Sequence, residues 1–198
     1  MGRITALLVL SLILLPVSVY SGEIHEAAKN GDLVKLKELL DKDPSLIYVQ
    51  DEQGKTPLHW ATGRYQSEAM KLMLDTYHAD VNVRNKNQGT PLHVAASQAN
   101  PEGVKILIEH KADIEARTKD GATPLHIAAL KGKKAGHIET VRILLEHGAN
   151  PNAQDNMGGT PIMYARRRNN TVIIKLLRQY EAKESSQQVA SPVSSEAE

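Results

Sequence analysis

The 198-residue chain contains no cysteine, no phenylalanine and a single tryptophan. Without cysteine there are no disulfides, no cysteine-ligated zinc and no thiol nucleophile. With one Trp and no Phe, a core must be assembled from Leu, Ile, Val, Ala and Met, which suits stacked helices better than an aromatic-centred sandwich. Charge of one sign is also lacking. Lys plus Arg number 24 against 23 Asp plus Glu, a formal net charge of +1. Nothing global points to nucleic acid, whose phosphates favour a marked basic excess.

Long apolar runs are scarce too, and the one present is N-terminal. Residues 6–19, ALLVLSLILLPVSV, carry no charge, follow Arg3 and precede Tyr20-Ser21. A positive start, an apolar stretch and small residues at a cut make the layout of a secretory signal peptide, predicted over 1–21 with cleavage after Ser21. A spanning helix wants about 20 apolar residues, so no permanent membrane span is expected after cleavage. Export places the mature chain in a periplasm or outside the cell. At the other end, KESSQQVASPVSSEAE is polar and lacks an apolar stripe, so 183–198 is predicted to be a disordered tail.

What is abundant between these ends is repetition. TPLHWA begins at Thr56, TPLHVA at Thr90, TPLHIA at Thr123 and TPIMYA at Thr160, at intervals of 34, 33 and 37 residues. A degraded copy, EIHEAA, places Ile24 34 residues before Leu58. Each copy is followed by a second apolar stripe, such as LVKLKELL, GVKILIEH or TVRILLEHGA. The period therefore holds two helices and a connecting turn.

Thr followed by Pro suits a helix start, because proline's missing N–H has no partner there anyway. Leu58, Leu92, Leu125 and Ile162 are predicted to point into the stack. Ala61, Ala95 and Ala128 let helices approach closely. Gly148 falls just past a helix end, where a left-handed residue is wanted; His78 and Lys111 fill the comparable slot. No copy buries its apolar face alone, but stacked copies form a continuous core.

TPLHIA followed by HIETVRILLEHGANPNAQD (137–155) resembles the ankyrin repeat, and the resemblance covers roughly 22–182. It implies an all-α solenoid of about five helix-turn-helix repeats (22–50, 51–84, 85–117, 118–154 and 155–182), each with a β-hairpin loop. It also implies recognition of a protein partner through hairpin tips and inner-helix positions. Residue by residue, the family's variable contact sites fall on Glu52, Gln53, Lys55, Arg64, Arg84, Lys86, Arg117, Lys119, Asp120, Lys131, Asn156 and Met157. Trp60 is either an interface anchor or a ring packed between neighbouring repeats.

Chemical motifs are weak by comparison. His59, His93 and His126 share one repeat slot, so they should stand about 10 Å apart, whereas zinc ligands meet one metal at about 2 Å. The resemblance implies instead that they hydrogen-bond within and between repeats. Gly54-Lys55-Thr56 imitates the end of a phosphate-binding loop, but Val49 stands where that motif needs its first glycine. HEAAK at His25 has Lys29 where a metalloprotease needs its second histidine. No nucleophile elbow, calcium loop or carboxylate pair is visible, so neither enzyme chemistry nor a cofactor is expected. Asn169-Asn170-Thr171 is formally a glycosylation acceptor in a eukaryotic secretory pathway.

The turns between inner and outer helices hold Lys29, Arg64, Lys131, Lys133, Lys134, Arg166, Arg167 and Arg168, with Ser97-Gln98-Ala99-Asn100 interrupting the series. They outline a basic edge suited to an acidic partner, or else ordinary solvated turns. KGKKAG (131–136) carries the four surplus residues of the longest interval and is read as an enlarged helix–helix turn. The functional expectation is a non-enzymatic protein-binding scaffold exported to the periplasm. The alternatives are a secreted effector that binds a host protein and a binder of small anionic ligands.

Overall fold

The computed structural model describes residues 17–132 and 134–190. The N-terminal apolar stretch up to residue 16, where most of the expected signal peptide falls, Lys133 and the tail residues 191–198 lie outside the described residues. Ten helices form five antiparallel pairs among the described residues: α1 (Val17–Asn30) with α2 (Leu33–Lys42), α3 (Pro57–Gly63) with α4 (Ser67–Lys71), α5 (Pro91–Gln98) with α6 (Pro101–Glu109), α7 (Pro124–Lys131) with α8 (Ala135–Glu146), and α9 (Pro161–Arg167) with α10 (Thr171–Ala190). Odd-numbered helices pack on one another as an inner layer, and even-numbered helices form the outer layer. No helix among the described residues is long and apolar enough to cross a membrane.

The core lies between the layers and runs through all five pairs. Ile24, Leu36, Leu39, Leu58, Met70, Met73, Leu92, Val104, Leu107, Leu125, Val141, Leu144, Ile173 and Leu177 are fully or almost fully buried. Each comes from the helical apolar stripe of its own repeat. Ala61, Ala95, Ala128 and Ala165 have no exposed surface, as expected for residues at close helix crossings. Ile162 is the exception in its slot and stays partly exposed against the core.

Local chemistry sets the helix starts. Thr56, Thr90 and Thr123 are extended N-caps followed by proline. The backbone N–H of each threonine donates to Nδ1 of the histidine three residues on, at 3.2, 3.2 and 3.1 Å. Nε2–H of the same histidine then reaches the next repeat: His59 donates to Gly89 O, His93 to Ala122 O and His126 to Gly159 O, at 3.1, 3.0 and 2.9 Å. One ring thus fastens a helix start and staples two repeats. At the helix ends His78, Lys111 and Gly148 all have positive φ, so the left-handed slot is filled whether or not glycine is present.

The β-hairpin loops are tight turns without strand segments among the described residues. Asp51, Asn85 and Asp155 each receive two backbone N–H groups on a side-chain oxygen, which closes the turn locally. Successive tips are then laced by backbone bonds from Lys86 to Gln53, Lys119 to Asn87 and Asn156 to Asp120. Gly121 (φ +81°) sits under this lacing, and a Cβ there would lie 2.7 Å from the backbone N of Asn156.

Two irregularities absorb the unequal intervals. In the second repeat the outer helix continues from α4 as a π turn over Leu72–Thr76. This takes up the one residue by which the 34-residue interval exceeds the 33-residue one. In the fourth repeat Gly132 ends α7, and α8 begins two residues before His137. The surplus is therefore split between the turn and a longer outer helix. The closing helix α10 runs to Ala190, across 183–190, where the composition predicts disorder. Lacking an apolar stripe removes packing but not helix propensity, and Glu, Ala, Lys and Gln extend an existing helix at little cost.

Candidate interaction surface

One residue in each of the last four repeats faces the same side of the inner layer as the hairpin tips: Trp60, Val94, Ile127 and Tyr164, all half-buried. The two ends of this row are built alike. Trp60 Nε1–H donates to Asp51 Oδ2 at 2.9 Å, and Tyr164 Oη donates to Asp155 Oδ2 at 2.5 Å. Burial pushes the Asp51 carboxyl up, but the N–H groups of Lys55, Gln53 and Trp60 more than offset it and leave it below the usual range. The Tyr164 hydroxyl bond leads in holding Asp155 low, and the same bond raises Tyr164. Cations lie over both rings: Lys55 at 4.7 Å and Lys29 at 5.9 Å from Trp60, and Arg167 at 5.9 Å from Tyr164. Tyr164 is also gripped edge-on by His126, with ring centroids 5.5 Å apart.

Trp60 is therefore both a half-exposed surface ring and a packed one. Its edge is tied to Asp51, and its faces are partly covered by the chain's own lysines. Lys55, the lysine of the phosphate-loop imitation, lies over the indole.

The predicted contact residues divide into three groups. Glu52, Gln53, Lys86, Lys119, Asp120, Asn156 and Met157 are exposed on the tips and, with Lys55, border the Trp60–Tyr164 row. Arg84 and Arg117 are used inside the chain: Arg84 Nη1–H donates to Arg117 O at 2.8 Å, and Arg117 Nη1–H to Gln154 O at 2.7 Å. Gln50 begins that series by donating to Arg84 O at 3.3 Å. Arg64, Lys131 and Lys134 are exposed but lie at the opposite ends of the inner helices from the tips. They form a separate edge with Arg166, Arg167 and Arg168. Lys29 belongs to it only loosely, since its ammonium pairs with Glu26 at 3.0 Å.

A second ladder had no sequence label. Gln66 donates to Lys29 O, Asn100 to Thr62 O, His137 to Ser97 O and Asn170 to Gly132 O, so each outer helix start reaches back to the end of the preceding inner helix. Asn170 is thereby held inside, while Asn169 beside it is exposed at positive φ. The gap in the basic edge at 97–100 coincides with this ladder, where Tyr65 also donates to Gln98 O.

Sequence reasoning also passed over Asp51 and Asp155. Their signal was present: an aspartate stands nine residues before an aromatic donor in the second and fifth repeats. Asn85 and Thr118 stand before Val94 and Ile127 in the others. Among the described residues no group of three or more His, Asp or Glu is placed to hold a metal ion. Burial drives His59 and His93 down to about 4.

Comparison with known proteins agrees with this architecture. The profile described as ankyrin repeats (3 copies) matches residues 24–118 and 112–188. The human DNA-binding protein RFXANK is 39% identical over 61 residues, covering 31% of this chain and 24% of that protein. The putative ankyrin repeat protein FPV240 of fowlpox virus is 42% identical over 52 residues, covering 26% and 13%. The probable 26S proteasome regulatory subunit p28 of Saccharomyces cerevisiae is 33% identical over 51 residues, covering 26% and 22%. The matched stretches thus amount to less than a quarter of each relative's length. Ankyrin repeats are general protein–protein interaction modules, typically without catalysis, and the profile covers most of the sequence: this chain belongs to the ankyrin-repeat family.

Proposed function

We propose that the chain is a non-catalytic scaffold, exported to a periplasm or beyond the cell, that holds a partner protein against its hairpin tips and inner-helix row. The observation that carries this reading is the row Trp60, Val94, Ile127 and Tyr164. It offers apolar and aromatic area on a rigid support, bordered by the exposed tip residues. Aromatic side chains tied by hydrogen bonds lose little freedom on binding, so contact made there is efficient. The export half of the proposal rests on the N-terminal apolar segment and its small residues before Ser21.

Affinity capture with the 22–198 chain, from envelope extract and from medium or host extract, tests the reading. A specific protein recovered by the native bait and lost with Trp60→Ala or Lys119→Glu is the expected outcome. Recovery of nothing specific from either source would remove the proposal. Cell fractionation with N-terminal sequencing tests export separately, with a mature chain beginning at Gly22 expected outside the cytosol.

A further inference from the structure

Both ends of the row carry a cation over the ring, Arg167 lying 5.9 Å from Tyr164, but they differ in what flanks them. At the Trp60 end, Lys55 and Lys29 lie over the ring. At the Tyr164 end, Met157 is 84% and Met163 51% exposed, and these two line an open groove with Tyr164, Arg166 and Arg167. Met163 stands in the slot that His59, His93 and His126 use to staple the next repeat. Here the slot holds an apolar side chain facing out. Tyr164 forms a fixed wall, held by Asp155 and His126. The methionines opposite are unbranched and adapt to what they meet.

Charge sets the kind of occupant. Asp155 also lines the groove, but its carboxylate already accepts from Tyr164, Met157 N–H and Gly159 N–H. Arg166, Arg167 and Arg168 are exposed and form no ion pair among the described residues. Arginine favours planar, bidentate pairing with carboxylates.

We propose that this fifth-repeat groove takes an acidic segment of a protein partner, with a large apolar side chain seated among Met157, Met163 and Tyr164 and flanking carboxylates on Arg166 and Arg167. The proposal rests on the protein-recognition reading above and gives that partner a chemistry.

Selection of a randomised linear peptide library on the immobilised full chain tests it. Enriched sequences should share a large apolar residue flanked by Asp or Glu. A synthetic peptide of that sequence should bind roughly tenfold or more weakly to Arg166→Glu/Arg167→Glu and to Met157→Ser/Met163→Ser. A Lys-for-Glu version of the peptide should recover binding to the arginine reversal. Unchanged thermal melting of the variants shows that folding is not the cause. Enrichment without the acidic–apolar pattern overturns the proposal, as does a groove occupied by a second copy, seen as self-association lost in the methionine variant. Peptides that ignore both double variants but are lost with Trp60→Ala overturn this groove and leave protein recognition standing. Failure to select any peptide, together with failure to capture any protein, removes both.

Discussion

The indole of Trp60 and the carboxylate of Asp51 form a hydrogen-bonded pair nine residues apart, and Tyr164 with Asp155 reproduces it three repeats later. The aspartate of each pair also closes its hairpin turn, so one carboxylate orients both a loop and a surface ring.

Asp51→Ala therefore removes the acceptor for Gln53 N–H, Lys55 N–H and Trp60 Nε1–H together. The expected cost is about 1–3 kcal/mol. Asp51→Asn keeps the turn chemistry that Asn85 supplies in the next repeat and should cost under about 1 kcal/mol. The chain's single tryptophan reports both through urea unfolding followed by fluorescence. Equal stability of the two variants would contradict this division of roles.

The histidine ladder makes stability depend on pH. His59 and His93 are driven from 6.5 to about 4 by burial, so the unfolded chain binds more protons than the folded one between those values. Stability is then full above about 6.5, falls as pH drops toward 4 and levels off below it. At pH 5 the loss should be roughly 2 kcal/mol per histidine. His110, raised chiefly by its bond to Asp75, acts in the opposite sense: its contribution is present below about 6.5 and is lost as pH rises. Urea midpoints at pH 7 and pH 5 check the balance, with the lower midpoint expected at pH 5. A flat profile would mean that the ladder is not closed in solution.

The ladder at the outer helix starts should be as important as the histidines. Asn100 is buried, donates to Thr62 O at 2.9 Å and accepts from Gly103 N–H at 2.8 Å. Asn100→Ala strands both partners and should cost about 2–4 kcal/mol. Exposed Gln179 on α10, changed the same way, should cost under about 0.5 kcal/mol. Denaturant unfolding of the two variants separates a structural staple from a surface amide.

Gly136 reverses an ordinary expectation. Glycine inside a helix normally gains about 1 kcal/mol on replacement by alanine. In α8, however, a Cβ at 136 would lie 2.7 Å from the backbone oxygen of Ala99. Gly136→Ala should therefore destabilise by about 1–3 kcal/mol, as overpacking against backbone does. A rise in melting temperature would show that the fourth repeat can shift away from the third.

Much of the architecture was legible from residues 22–182 alone. The Thr-Pro starts, the apolar stripes and the histidine slot are local patterns, and local hydrogen bonding and helical periodicity decide them. Glu52, Gln53, Lys86, Lys119, Asp120, Asn156 and Met157, expected at the tips, are exposed there. The sequence placed the four surplus residues of the 37-residue interval in KGKKAG, but not how they divide between turn and helix, nor where the 34-residue interval yields. The answers were a π turn at Leu72–Thr76 and a lengthened α8.

The sequence by itself determined the number of repeats, the helix starts and the composition of the core, since each copy carries its own apolar face and its own caps. Only the tertiary structure decided which surface residues are already engaged. Arg84 and Arg117 read as contact residues until the stacking brings Arg117 O and Gln154 O within reach, 33 and 37 residues along the chain. Gln66, Asn100, His137 and Asn170 look unrelated until the same stacking aligns them on one carbonyl series. The physical reason is that a partner one repeat away is selected by the rise and rotation between repeats. That geometry is set by all the packed side chains together, and no single motif spells it out.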